Sequence, residues 1–368
     1  MYNKIIKANE TMTARQRVLN TFAYEKADRV PINYFTNPTI HAKVAEALGC
    51  ADYESFLQAL GVDYRGIHVP YKGPLLYKEI EGLNVDPVYG FYTKWIPNEF
   101  GGYHDFCNFP LQDVSSDEIA AFPVPSPDDF EYEHVVGAAD YYKDYAIFCG
   151  NAGIGDIINS IGRVMGMEDA LVGIYTEDEA VLGLIDRKLS MELGIMERLL
   201  DKLKGRVDFM WLGEDLGSQH APMISLDLYR KVFRPRHQRF IDLAKSHNIP
   251  VMIHTCGASS WIYEDFIEMG ITAVDTLQPE AAGMSPESLV ERFGSRLSFH
   301  GCISTCGTIV NGTPDEVMEY CKYTLDLMLR KNGGGYHFAP SHQIQDNTPV
   351  ENVIAMYQAA HTYGRYDI

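Results

Sequence analysis

Apolar and polar positions alternate along the chain in two rhythms. Short apolar runs of four to eight residues, bounded by Gly, Pro or charged residues, recur from residue 132 onward, separated by stretches with apolar residues every three to four positions. The first texture predicts buried strands and the second amphipathic helices. The strands expected are Ala146–Asn151, Asp208–Gly213, Val251–Thr255, Ala273–Leu277, Leu297–Gly301 and Tyr336–Pro340. Two earlier runs, Val30–Phe35 and Val62–Val69, bring the count to eight. Helical stripes lie between most of them, such as Leu193, Met196, Leu200 and Leu203 within Leu189–Leu203, while Val18, Leu19 and Phe22 share a face within Thr13–Tyr24. A helix over His41–Leu48 ends at Gly49, and Thr313-Pro-Asp-Glu and Thr348-Pro-Val-Glu each supply an N-cap Thr, a Pro at the first helical position and a Glu three past the cap. Six strand-loop-helix units with the two early strands give a count of eight, which predicts an α/β fold, a single (β/α)8 TIM-type barrel over residues 1–368. Between about 70 and 127 the periodicity lapses into Pro, Gly and aromatic residues, expected to be a loop-rich insertion with short hairpins or a lid. A doubly wound open sheet is the alternative, weakened because no Gly-x-Gly-x-x-Gly follows a strand.

Composition narrows the partners. With 31 basic and 50 acidic residues the formal charge is -19, which repels a phosphate backbone and argues against nucleic acid. No window is apolar enough for a membrane span and Met1–Arg17 lacks a signal-peptide core, so the expectation is a cytoplasmic protein. Seven cysteines without a compact framework read as reduced thiols. Oligomeric state stays open, a homo-oligomer included.

Barrel enzymes keep their chemistry at the C-terminal ends of strands, and here those ends are polar. They offer Asn33 and Tyr34, Arg65 and His68, Asn151, Glu214 and Asp215 with Gln219 and His220, His254 and Cys256, Asp275 and Gln278, His300 and Cys302, and Ser341 and His342. In extended chain His254 and Cys256 project to one side, and an imidazole with a thiolate favours zinc over magnesium or calcium. The expected set is His254, Cys256 and His342, completed by Glu214 or water; Cys302, alone or with Cys306, is the alternative.

Several stretches together resemble the uroporphyrinogen decarboxylase superfamily, and within it the cobalamin (corrinoid)-dependent methyltransferases. They are Asp28-Arg-Val-Pro, Trp211-Leu-Gly-Glu-Asp-Leu-Gly-Ser-Gln, Ile253-His-Thr-Cys-Gly, Gln278-Pro with Gly283-Met, Phe299-His-Gly-Cys-Ile-Ser-Thr, Gly333-Gly-Gly-Tyr-His-Phe-Ala-Pro-Ser-His and Thr348-Pro-Val-Glu-Asn. The resemblance implies one (β/α)8 barrel with an N-terminal elaboration. Where true decarboxylases carry an Arg-rich segment for the tetrapyrrole carboxylates, this chain reads Asn33-Tyr-Phe-Thr-Asn, without a cation, so porphyrinogen decarboxylation is disfavoured. In the thiol-methylating branch the equivalents of His254 and Cys256 bind zinc and the third ligand is a Cys in Pro-Gly-Cys; the triplet here is Pro340-Ser-His342. The function this implies is transfer of a methyl group between a small methylated, thiol or folate-type molecule and a corrinoid. The chain has no Asp-x-His-x-x-Gly cobalamin segment, so a separate corrinoid protein would carry that cofactor. Glu214 and Asp215 would orient or protonate substrate, and Tyr34, Arg65, Asn151, Gln278 and Cys302 would line the pocket. A metal-free decarboxylase-type lyase and a non-catalytic corrinoid- or metal-binding barrel are the rival readings.

Overall fold

The structure is a computed structural model, and it describes residues 4–366. Seven parallel strands form one sheet: β1 (Tyr64–Gly66), β5 (Ala146–Gly150), β6 (Phe209–Gly213), β7 (Val251–His254), β8 (Ala273–Leu277), β9 (Ser298–Ile303) and β10 (Tyr336–Pro340), each hydrogen-bonded to the next in chain order. Helices fill the crossovers and cover the outer face, the inner face packs on itself as the barrel core, and the strands are near-continuously apolar. The longest helix, Glu179–Leu203, buries Leu189, Met196, Leu200 and Leu203 along one face. No helix among the described residues is long and apolar enough to cross a membrane.

The eighth stave is the run around Ile32, and it differs from the strand expected over Val30–Phe35. It makes a single parallel bridge, Ile32 to Phe338, with Asn33 N donating to Phe338 O (2.9 Å) and Phe338 N to Pro31 O (2.8 Å). On its other side Asp63 N donates to Ile32 O (2.9 Å). These bonds close the ring into a (β/α)8 barrel. Pro31 has no N–H to give, which is one reason a full ladder does not form.

Side chains complete what the backbone leaves short. The Asp63 carboxylate accepts from Ile32 N (2.7 Å), from Arg17 Nη1 (2.6 Å) and from Arg29 Nη1 (2.7 Å), and all three side chains are buried. Arg17 also reaches Asp28 through Nε (2.6 Å) and Nη2 (3.0 Å), and Arg29 Nε reaches Glu10 (2.9 Å). Asp28-Arg-Val-Pro is therefore the closing clamp of the barrel floor. Two guanidiniums share a carboxylate that carries strand hydrogen bonding, so no member can be lost without stranding a buried charge.

Residues 70–127 contain an antiparallel three-stranded sheet, β2 (Asn84–Val85), β3 (Tyr92–Ile96) and β4 (Tyr103–Cys107), followed by a short helix, Ser116–Ala121. Thr313 caps its helix with a full capping box. The second expected cap shifts by one residue: Pro349 takes the N-cap position of Val350–Tyr363, and the buried Thr348 Oγ1 has no partner among the described residues.

Two outcomes follow from the clamp. Asp63→Ala is expected to destabilise the protein by about 3–5 kcal/mol, read as a lowered urea midpoint with an unchanged slope; a loss below about 1 kcal/mol, the ordinary worth of a surface pair, would show that the clamp does not hold the ring closed. The second concerns acid. Burial pushes the Asp28 carboxyl up, but Arg17 outweighs it and holds the group at about 2, below its ordinary 3.8. A depressed folded value means stabilisation is present above the ordinary value and is lost as pH falls through about 2. Asp28→Asn should flatten acid unfolding in that window, measured by circular dichroism.

Candidate metal centre

β7 is apolar and fully buried up to its last residue, His254, and the chain then turns out of the barrel through Thr255 and Cys256. Two close approaches fix that turn. Gly257 has a left-handed φ of 67°, and a Cβ there would lie 2.3 Å from Gly217 O, while one on Gly217 would lie 2.5 Å from Ala258 N. Only glycine lets the loops after β6 and β7 meet this closely. The contact brings Asp215 onto Cys256: Asp215 Oδ1 accepts the Cys256 backbone N–H at 3.0 Å.

Cys256 Sγ lies 3.3 Å from His254 Nε2. His342 enters from the loop after β10, and the ligand atoms of His254, Cys256 and His342 all lie within 4.8 Å of one another. A zinc ion with bonds of about 2.0–2.3 Å spans three ligands at such separations. The donors are also of the right chemical type, two imidazoles and a soft sulfur, so the residues fit the ion that the sequence suggests. Burial, though partly countered by His254, raises the Cys256 thiol, and burial with the neighbouring His254 lowers His342. Both therefore start as neutral donors, and a cation would displace the thiol proton.

His254 is held from behind. Its Nδ1 lies 2.9 Å from Asp275 Oδ2 and 2.5 Å from Thr276 Oγ1, and the other Asp275 oxygen is 2.5 Å from His300 Nδ1. His300 Nε2 in turn meets Asn33 Nδ2 at 3.0 Å. Burial works against charge on His254, but Cys256 and Asp275 hold its pKa well above the ordinary value. A cation would therefore have to displace the Nε2 proton, leaving that lone pair toward Cys256 and His342 and the Nδ1 proton donated to Asp275. Such carboxylate–histidine pairs behind a ligand fix its tautomer and raise its basicity. Burial opposes charge on Asp275, yet His300 and His254 hold its carboxyl well below the usual range. Thr276 reaches Nδ1 from a left-handed backbone (φ 61°) at an irregularity in the pairing of β8 with β9. A β-branched residue rarely adopts that conformation, and such strain gathers at functional sites.

The neighbours Glu214 and Asp215 part company. Asp215 faces the centre, with Oδ1 3.7 Å from His254 Nε2, and accepts from Asn159 Nδ2 at 2.9 Å. Glu214 is fully buried and turned the other way. It accepts from the backbone N–H groups of Ile157 (2.8 Å) and Ile158 (3.1 Å) and meets His237 Nε2 at 3.2 Å, anchoring the start of the helix Ile158–Met165. Burial pushes its carboxyl up to about 8. The structure does not bring Glu214 to the metal, because the helix takes both of its oxygens.

The remaining expected residues divide between two cavities. A cavity of about 340 Å³ is lined by Cys256, His342, Gln278 and the exposed thiol of Cys306, and Gln278 Oε1 accepts from Gly257 N at 2.7 Å. A larger one, about 780 Å³, is lined by Tyr34, Arg65 and Asn151, with Asn33 and Trp211 also on its wall. Cys302 is fully buried and lines neither. The left-handed φ values of Gly301 (111°) and Cys302 (65°) break the two-residue alternation that would have kept it on the side of His300. Asp275, His300 and Asn33 carried a sequence signal as polar strand-end residues. Thr276 and Asn159 carried none, since they reach the site only through the irregular backbone and the helix that Glu214 anchors.

Comparison with known proteins agrees with this architecture. The chain has the fold of a solved methyltransferase from Methanosarcina mazei, with a TM-score of 0.61 over 95% of this chain and 98% of that one, at 17% sequence identity. No curated protein sequence matches it. A family model for uroporphyrinogen decarboxylase (URO-D) matches residues 164–363, the span that carries β6 to β10 and all three candidate ligands. On that match, the chain belongs to the URO-D family.

Proposed function

We propose that this protein is a zinc-dependent methyltransferase that moves a methyl group between a small methylated or thiol compound and a corrinoid carried by a separate protein. The observation that carries the reading is the cluster His254, Cys256 and His342 with Asp275 locked behind His254. The fold shared with a solved methyltransferase supports the same class. Zinc held there would supply Lewis acidity to a heteroatom of the substrate. Two imidazoles and one thiolate leave the centre with one negative charge fewer than a set of one imidazole and two thiolates, which keeps it more electrophilic. Asp275 would fix the direction in which His254 offers its Nε2 to the ion. Asp215, partly exposed and adjacent to Cys256, is placed to hold or exchange a proton on the substrate heteroatom as the methyl group leaves or arrives. Burial works against its charge, but the hydrogen bonds it accepts from Asn159 Nδ2 and the Cys256 N–H help to hold its carboxyl below the usual range.

The first test is metal content. The protein is expected to hold one zinc per chain by mass spectrometry of the metal, and Cys256→Ala or His342→Ala to reduce this to near zero. Glu214→Gln should leave the stoichiometry unchanged, because its carboxylate faces away; loss of zinc in that variant would move the ligand set to the alternative one. Asp275→Asn should still bind zinc but roughly 10- to 100-fold more weakly, the usual effect of losing a carboxylate behind a ligating His. The second test is chemistry. With reduced cobalamin free in solution, the protein is expected to transfer methyl from a methylated donor, or from methylcobalamin to a thiol, and Cys256→Ala to abolish it. Zinc at full stoichiometry with no transfer across a donor and acceptor panel would leave a metal-binding barrel without this activity.

A further inference from the structure

The larger cavity does not share a lining residue with the one that holds the metal cluster. Its volume, about 780 Å³, is that of a small-molecule site. Its wall is aromatic: Tyr34, Tyr53, Phe148 and Trp211 present ring faces or edges to it, and Phe148 and Trp211 pack edge-on at 5.4 Å. One cation lies on that wall, Arg65, and it is fully committed. Its Nε and Nη2 grip both oxygens of Glu54 at 2.8 Å, Nη1 donates to the carbonyls of Val62 and Tyr64, and the guanidinium sits 3.9 Å from the Tyr145 ring centre. At the rim stands Asp52, the N-cap of the helix Tyr53–Leu60, whose carboxyl is held down by the Ser55 N–H it accepts. Burial lowers both His68, on the cavity wall, and His41, behind Tyr34, so neither adds a positive charge near neutral pH. The side chains facing the cavity thus carry one unbalanced negative charge and several π faces.

We propose that this cavity binds a compact organic cation, a quaternary or tertiary methylated ammonium compound, with the ammonium among the rings near Asp52 and Tyr53. Anionic ligands find no free cation there, whereas an ammonium gains cation–π contacts and a carboxylate. The cavity joins the metal centre through one line of contacts: Asn33 on its wall binds His300, which binds Asp275, which binds His254.

The test is calorimetric titration of the full-length protein with choline, tetramethylammonium and 3,3-dimethylbutan-1-ol, the neutral isostere of choline. Choline is expected to bind at least about tenfold more tightly than the neutral alcohol, the size of one good cation–π contact. Asp52→Asn, which still caps the helix, and Tyr53→Leu, at an exposed position, should each reduce that preference several-fold while the melting temperature holds. Equal binding of choline and the alcohol, or no saturable binding of either cation, would overturn the proposal. Neither result touches zinc stoichiometry or methyl transfer to a thiol, so the failure of this inference and of the proposed function are read separately.

Discussion

One carboxylate organises the mouth of this barrel. Asp275 lies at 2.5 Å from one imidazole and 2.9 Å from another, and it is buried beneath both. A lone carboxylate at that depth would be costly. Two N–H donors make it tolerable, and in exchange it fixes the tautomer and plane of His254 and His300. The direction of His254 Nε2, and so the place where Cys256 and His342 can meet it, follows from that bond. The strained Thr276 beside it makes sense as part of the same constraint.

A site this exact needs a frame that does not breathe, and the frame is closed by ions as much as by strands. The stave at Ile32 has too few ladder bonds to hold the ring alone. Asp63, gripped by Arg17 and Arg29, binds the Ile32 amide in place of a neighbouring carbonyl. Asn33, the next residue along, is the outer partner of His300. Closure at the floor and orientation at the mouth are therefore joined through two consecutive residues.

The two cavities have opposite characters. The one at the metal cluster is small, open and lined with polar groups and glycine backbone, suited to a reacting atom approached from outside. The larger one is aromatic and has spent its only cation on Glu54. A ligand bearing many carboxylates would need free guanidiniums there, and Arg65 is bound on every side.

Much of the fold was written into the chain, because the two-residue and 3.6-residue periods act locally. Seven strands fall where the apolar runs placed them, Thr313 caps its helix, and His254 and Cys256 come together as their spacing required. Regular geometry stops at strand ends, and there the sequence loses its hold. Neighbours such as Glu214 and Asp215 look interchangeable in a string of letters; a helix start that Glu214 caps and a loop that Asp215 meets, both from distant parts of the chain, send them opposite ways. Left-handed backbone at Gly301 and Cys302 removed a thiol from the side that alternation gave it, and an irregular β8 brought in Thr276 with no pattern to announce it. The sequence by itself determined which elements form and which chemical groups stand near the mouth. Only the tertiary structure decided which of them meet, since that depends on packing between segments far apart in the chain, about which no local period carries information.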